Sequence, residues 1–477
     1  MAKSRDGWQW TRREGVKAGL PCIGVINPSQ SVKNLDKVFD IVIIGAGYTG
    51  LTAARDLTVA GFQTLLLEGR DRVGGRTWSS EIDGYQFELG GAWVHWFQPH
   101  VYREISRYGM KAELVFSPDY TREKNYFTFV TEHGARKMSH QEEIELFSRA
   151  LEKFANVDGN LGKSVVPLPF DQYSNETLNN YANMSVADRL EQIKNDLTDD
   201  ERNAVSAVVL VAAVAPETIR RSWTFFVVLA IKLECGQSAF ALRFFQEALS
   251  SGRLSYSFNT VITRVDSSSR DIVKVLSRDG LTFRAKRVIC TAPLNVLDKV
   301  RFHPALSQAK LDAIRHKHVN QCTKLHAEIK DPEMRSWGGV TYPNNRLLLG
   351  AADGTTPSGN THCVFFGCSE SHLHAEEEIE ETLKAVNAFA EMEVERLVSH
   401  NWSKDQFAEG AWVWYQPGAE VKYLETLRER HGPILFANSD WADGGWRSFI
   451  DGAIQSGTDA AFTVKNELQG AQRESHL

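Results

Sequence analysis

The period of hydrophobic and polar positions changes several times along the chain, and each change marks an element. Phe39–Ile44 is an almost unbroken apolar run of strand length, and Thr64–Leu67 is a second. Between them Leu51, Ala54 and Leu57 recur at helical spacing, and Gly61 can close that helix. Gly84–Gly91 predicts a strand that ends in the pair Gly90-Gly91. Residues 137–157 and 185–230 carry Leu, Ile, Phe or Val on one side and charges on the other, a helical pattern. Residues 253–291 return to short strands separated by turn signals such as Asp279-Gly280. Residues 320–368 continue them, with turns at Pro343-Asn344-Asn345 and Asp353-Gly354, and within them Lys324, His326 and Glu328 alternate on one face, the pattern of a solvated face. Residues 376–397 read as one acidic amphipathic helix. A last strand, Pro433–Phe436, leads through a turn at Asn438-Ser439-Asp440 to a helix. On that helix Phe449, Ile450, Ala453, Ile454, Gly457, Ala460, Ala461 and Val464 trace one apolar face. Residues 1–37 follow neither period and predict an irregular leader.

The first strand–helix–strand unit carries chemistry. Its strand runs straight into Gly45, Gly47 and Gly50, and an acid, Glu68, follows about twenty residues on. This predicts a Rossmann-like α/β domain with a doubly wound parallel sheet, holding a dinucleotide. Gly45 allows the tight turn, Gly47 lets a pyrophosphate approach the backbone, and Gly50 lets helix and strand pack closely. The phosphates then sit at the helix N-terminus, and Glu68 can take the hydroxyls of an adenosine ribose. The next turn, from Arg70 to Thr77, selects among dinucleotides. A nicotinamide enzyme has no need of it. A flavin dinucleotide buried along its whole length does, because Arg76 can neutralise the pyrophosphate while Gly74 and Gly75 let the chain pass close by. The closing turn and helix can complete such a site from the far end of the chain. There the Gly452-Ala453 backbone could face the flavin pyrimidine, where reduction builds negative charge.

Composition narrows the picture. A chain of 477 residues is long enough for two interleaved domains. Its net charge of −6, from 60 acids against 54 bases, leaves no basic stripe and argues against a nucleic-acid-binding module. Six scattered cysteines fit a reducing compartment. Cys363, Cys368, His372 and His374 have the spacing of no common zinc site, so no metal is assigned. The N-terminus lacks the apolar run of a signal peptide, and no stretch predicts an integral membrane anchor. The last three residues, Ser475-His476-Leu477, come close to the S-K-L peroxisomal address, so a peroxisomal location stands beside a cytoplasmic one.

At this point the motifs match a known group. The chain resembles the flavin-dependent amine oxidases, most closely the fungal monoamine oxidases. The resemblance runs through SRDGWQW, DLTVAGFQTLLLEGRDRVGGRTW, GGAWVHW, TAPLNVL, CTKLHAEI, DGTTPSGNTH and FANSDWADGGWRSFIDGAIQSG. It implies an FAD domain assembled from residues 38–115, 241–303 and 400–468, interleaved with an α+β substrate domain from 116–240 and 304–399. A tail follows at 469–477. It implies a small-molecule amine and O2 as partners, with a homo-oligomer left open. The resemblance places Gly45, Gly47, Gly50, Glu68, Arg70, Gly75, Arg76, Gly91, Ala92, Trp93, Gly452 and Ala453 at the cofactor. It gives Val261 a backbone contact to the adenine, Trp402 a place beside the isoalloxazine ring, and Asp440 a contact to the ribityl chain. Lys324 falls where the family holds a water against flavin N5, and Trp412 and Phe449 fall at its two aromatic cage positions. Ala411 replaces the cysteine that bonds the flavin in membrane-bound animal enzymes, which implies non-covalent FAD.

Two departures stand out. Ser222–Gly236 is shorter than the matching fungal region by roughly a dozen residues. The stretch Asp443-Gly444-Gly445-Trp446 has one residue more. Four readings of function remain: oxidation of a monoamine to an imine, then an aldehyde or ketone, with O2 reduced to H2O2; oxidation of a cyclic, secondary or polyamine substrate; a catalytically impaired FAD-binding homologue; and a nicotinamide dehydrogenase.

Overall fold

Two sheets organise the molecule, and the cavity described below lies between them. The computed structural model describes every residue except 96, 168–175, 213–230, 270, 368–372 and 475–477. In the first sheet Leu254–Ser257, Thr64–Leu67, Val38–Ile44 and Thr282–Cys290 lie side by side and parallel. Ile434–Phe436 joins the end of Thr282–Cys290, also parallel. Thr64–Leu67, Ile434–Phe436 and the last residues of Val38–Ile44 and Thr282–Cys290 show no in–out alternation because both faces of the sheet are covered there. Ile41, Ile43, Leu66 and Ile289 pack under helices Tyr48–Val59, Gln237–Ser250 and Ile450–Glu474. Val42, Leu65, Leu67 and Val288 on the other face meet Ala313 and Ile314 of helix Gln308–His316, and Leu424 and Leu427 of helix Ala419–Arg428. The doubly wound parallel sheet expected from the first eighty residues is therefore present. Its first helix crosses the last one closely: a Cβ on Gly457 would lie 2.4 Å from the Thr49 carbonyl oxygen.

The second sheet has nine strands, in the order Gly15–Ala18, Trp8–Thr11, Val394–Ser399, Thr323–Ile329, Thr361–Gly367, Leu349–Thr355, Gly338–Thr341, Phe127–Thr131 and Gly134–Met138. All pairs are antiparallel except Gly338–Thr341 with Phe127–Thr131. Helices His140–Ala155 and Asp199–Ala212 cover one end through Leu146, Leu151, Ala204 and Val208, which pack on Phe127, Phe129 and Val340. Among the described residues no helix is long and apolar enough to cross a membrane.

Three expectations change. The leader is not irregular: Trp8–Thr11 pairs with Val394–Ser399, Trp8 opposite Ser399, and extends the nine-stranded sheet. Four-residue strands are too short to show a period. The proposed helix 376–397 ends at Asn387, and Val394–Ser399 is a strand. From Glu391 to Glu395 the acids alternate with buried Met392 and Val394, a period of two. The face of Lys324, His326 and Glu328 is not solvated, because every residue of Thr323–Ile329 is buried.

Candidate functional site

One elongated cavity of about 610 Å³ runs from the C-terminal ends of the parallel strands to the nine-stranded sheet. At the parallel-sheet end it is lined by backbone. Gly45 turns at φ +107°, and Gly50 packs so closely on it that a Cβ would come within 1.9 Å of the Gly45 carbonyl oxygen. Helix Tyr48–Val59 therefore starts directly at the cavity. Its N-cap, Gly47, makes no side-chain capping bond, so the positive helix end is left for an anion. Gly75, at φ +60°, packs directly against Gly47, a Cβ on it coming within 3.1 Å of the Gly47 Cα. Glu68 is buried with its carboxylate braced from behind: Oε2 accepts the Ala46 N–H at 2.6 Å and Oε1 the Arg70 N–H at 2.8 Å. Val261 lines the same end, its carbonyl accepting the Arg278 N–H at 2.7 Å.

The two arginines expected at the cofactor, Arg76 of them at the pyrophosphate, are engaged by protein. Arg76 donates to Asp440 Oδ1 at 2.6 Å, to Asn438 Oδ1 and Ser439 Oγ at 3.1 Å, and to the Ala411 carbonyl at 3.0 Å. Its charge is thus matched by Asp440, and it ties the Gly74–Arg76 turn to the closing segment. Arg70 forks onto Asp405 at 2.7 and 2.6 Å and reaches Asp6 at 2.9 Å. Arg72 also meets Asp6, donates to the Gly75 carbonyl at 3.0 Å, and lies over the Trp78 ring. His400 accepts the Gly7 N–H and bonds Asp405. The segment from Ser4 to Gly7 therefore straps the arginine turn in place.

At the other end the wall is made of side chains. Trp93, Cys322, Leu349, Phe366, Ala411, Trp412 and Phe449 line it together with Lys324. Trp412 and Phe449 come from segments joined at Ser448, whose Oγ accepts the Val413 N–H at 2.8 Å and whose backbone turns at φ +76°. Trp446 packs edge-on against Phe449 at 5.2 Å, so the extra glycine of 444–445 leaves Phe449 on the wall. Lys324 is buried, with Nζ 2.7 Å from the Glu88 carbonyl, 2.8 Å from the Gly90 carbonyl and 4.8 Å from the Trp93 ring centre. Burial holds its basicity below that of an ordinary lysine, partly offset by the Glu88 and Asp353 carboxylates. Burial likewise pushes the Glu88 carboxyl up.

Of the residues selected from sequence, Gly45, Gly47, Glu68, Arg70, Gly75, Arg76, Gly91, Ala92, Trp93, Val261, Lys324, Trp402, Trp412, Phe449 and Ala453 line this one cavity. Gly50, Asp440 and Gly452 do not. Gly50 supports the turn behind it. Asp440 is fully buried between Arg76 and the Leu294 N–H and acts through Arg76. Gly452 lies beneath the Trp446 carbonyl, 2.4 Å from a would-be Cβ. Residues 222–230 of the stretch Ser222–Gly236 lie outside the described residues, as do Cys368, His372 and Ser475–Leu477.

The uncapped helix end, the open face of Gly47 and the braced Glu68 fit an extended dinucleotide. The comparison with known proteins decides which class. The model for flavin containing amine oxidoreductases matches residues 48–464. The chain belongs to that family. Its FAD-binding character follows, and the helix end and Glu68 are the groups that would hold the cofactor. Among similar proteins is the pseudooxynicotine dehydrogenase of a Pseudomonas species, 30% identical over 93% of this chain and 89% of that one. Another is the (S)-6-hydroxynicotine oxidase of Paenarthrobacter nicotinovorans, 27% identical over 90% and 99%. Two solved structures share the fold. A putrescine oxidase variant aligns with a TM-score of 0.72 and 19% identity, over 90% of this chain and 99% of its own. The cyclohexylamine oxidase of Brevibacterium oxydans aligns with 0.71 and 17%, over 91% and 100%.

Sequence reasoning missed three parts of the site in this family member. The strap from Ser4 to Gly7 falls within the SRDGWQW stretch of the resemblance, but no role at the site was assigned to it. The far wall of Cys322, Leu349 and Phe366 reads as ordinary core. The buried polar groups behind Lys324 sit on strands whose alternation suggests solvent. Only the pairing of charged residues with strand neighbours that lack any polar alternative could have signalled the last.

Proposed function

We propose that this flavoenzyme oxidises a bulky, apolar amine, cyclic or secondary and of the monoamine type, at the carbon beside nitrogen. The imine formed is hydrolysed to an aldehyde or ketone. The observation that carries this reading is Lys324, buried and held by two carbonyls on the wall of a cavity that Trp412 and Phe449 also line. The helix end at Gly47 and Glu68 would hold FAD, which would supply the hydride-accepting chemistry of this oxidation.

The chain's own residues supply the conditions for that step. Trp93, Leu349, Phe366, Trp412 and Phe449 exclude water from the amine. A free alkylammonium has a pKa of about 10.4, so an apolar wall favours the neutral form whose α C–H is reactive. The aromatic faces orient the substrate body against the end of the cavity where Lys324 and the Gly90-Gly91 backbone lie. Lys324 offers its remaining valence to a water or to the substrate nitrogen. Ala411 carries no sulfur, which supports non-covalent FAD.

We read O2 as the acceptor, giving H2O2. A second reading, another electron acceptor, is favoured by the relative named as a dehydrogenase. Anaerobic mixing with cyclic and secondary amines should bleach the flavin absorbance, and readmitted oxygen should restore it with stoichiometric peroxide. Bleaching without peroxide selects the second reading, and no bleaching with any amine refutes both. Acid precipitation should leave the flavin in the supernatant; a yellow pellet contradicts non-covalent binding. The peroxisomal location and the fungal kinship rest on sequence motifs alone. Removing Ser475-His476-Leu477 from an N-terminally tagged fusion should turn a punctate distribution cytosolic.

A further inference from the structure

Behind Lys324 lies a buried polar cluster that amine oxidation as described leaves unused. Strand Thr323–Ile329 presses Lys324 and His326 against the hairpin of Ser79–Ile82 and Tyr85–Glu88. The Glu88 carbonyl oxygen meets Lys324 Nζ at 2.7 Å and also His326 Nε2 at 2.8 Å. His326 Nδ1 lies 2.8 Å from His362 Nε2, and His362 Nδ1 lies 2.9 Å from the Tyr85 hydroxyl. The two imidazoles stack with centres 5.0 Å apart.

These contacts admit a single direction. A carbonyl only accepts, so His326 Nε2 carries the hydrogen. A neutral ring carries one, so His326 Nδ1 accepts and His362 Nε2 donates. His362 Nδ1 then accepts from the Tyr85 O–H. Both rings are held neutral by burial, His362 pushed down to about 3 and His326 well below its usual value, with the nearby Lys324 cation acting the same way. Burial also keeps Tyr85 a phenol.

We propose that His326, His362 and Tyr85 are positioning residues for Lys324: a one-way hydrogen-bond chain that fills the second acceptor direction of the Glu88 carbonyl and fixes Lys324 Nζ with two N–H bonds inward and its remaining valence toward the cavity. The proposal rests on the reading that FAD occupies the cavity beside Lys324. A carbonyl that already accepts from His326 is a weaker acceptor for an ammonium, so the chain favours the neutral amine, whose lone pair then faces the cavity. The other titratable groups around Lys324 are the Glu88 carboxyl, Asp353 on strand Leu349–Thr355, Lys232 on Ile231–Leu233 and Cys322. Asp353 is already matched by Lys232 at 2.9 Å. Arg335 and Asp353 also lie near His362, with Asp353 Oδ2 3.6 Å from the same Nδ1 that meets Tyr85.

The test uses the holoenzyme without amine. The flavin absorption spectrum is titrated from about pH 6 to about pH 11, so that a charge change at Lys324 shifts the band below the pH of an ordinary lysine. Lys324→Met should abolish the transition. His326→Phe, which keeps a ring but removes the donor, should move it alkaline by about one pH unit. His326→Gln, whose amide can donate to the same carbonyl, should restore it. Tyr85→Phe, at a half-buried position, frees the direction of the chain and should move it alkaline by less. Coincidence of the wild-type, His326→Phe and Tyr85→Phe transitions overturns the proposal, as does a wild-type flavin with no transition that Lys324→Met removes. Failure of the amine-oxidation reading would look different: an intact titration on a flavin that no amine reduces.

Discussion

The two ends of the cavity are built on opposite principles. The cofactor end is backbone: the turn at Gly45, the helix start at Gly47 and the Gly74–Arg76 turn all come from one stretch of some thirty residues, with Glu68 braced by two N–H groups. The end proposed for the substrate is side chain: Trp93, Lys324, Leu349, Phe366, Trp412 and Phe449 come from segments far apart in sequence. Backbone recognition needs particular conformations, and those need particular residues. Side-chain recognition needs only volume and polarity, which many residues supply. The first end should therefore be brittle to small substitutions and constant in ligand. The second should tolerate change and set specificity.

The sharpest break of that contrast is Gly50→Val. Even its Cβ meets a carbonyl oxygen at 1.9 Å, with no flexible side chain to give way. We expect a loss of more than about 3 kcal/mol in stability and no retained flavin. Leu349→Val at the other end should keep both. Equal loss of flavin in the two variants would dissolve the distinction.

Asp6→Ala comes next. It leaves Arg70 with Asp405 alone and removes the carboxylate that Arg72 pairs with. Removing one partner of a buried ion cluster costs about 3 kcal/mol, and Asp6 is partly exposed, so about 2 kcal/mol is expected. The readout is flavin release at lower urea concentration, with kcat unchanged in the enzyme that still holds FAD. A changed kcat at full FAD occupancy would show that the strap reaches the reacting end.

Lys324→Met tests the substrate end. FAD should stay bound, while flavin reduction by amine or reoxidation slows roughly a hundredfold. Stopped-flow traces of the two half-reactions decide it; wild-type rates in both would leave Lys324 a purely structural residue.

The same division explains what could be read from the sequence. The strand, helix and acid around Gly45–Glu68 were legible because the phosphate-binding turn cannot be made without its glycines. Lys324, Trp412 and Phe449 were reachable only through family resemblance, because a lysine on an alternating strand looks solvated and aromatics look like core. The strand is buried instead because the hairpin Ser79–Glu88 covers its polar face, a contact between residues more than 230 apart. Asp6 stands in the SRDGWQW stretch, yet its role was hidden for the same reason: its partners lie more than sixty residues away, and nothing in the local sequence says that it will meet two arginines.

The smallest effect concerns which amine fits. The described wall is apolar and aromatic, and among the described residues lining the cavity the one carboxylate, Glu68, sits at the cofactor end. A short amine would share the space with water, which weakens desolvation of its nitrogen and lets it tumble. A bulkier amine displaces that water itself and gains about 0.8 kcal/mol for each CH₂ it buries. Across a series from butylamine to benzylamine to larger cyclic and secondary amines, kcat/KM should rise by roughly tenfold, and Phe449→Ala should flatten the rise by widening the wall. The gain should lie in kcat as well as KM, because an ordered substrate reacts faster and does not merely bind tighter. Highest kcat/KM for the smallest amines would mean that a further segment closes this end as tightly as the backbone closes the other, and the contrast between the two ends would then lie in their chemistry alone.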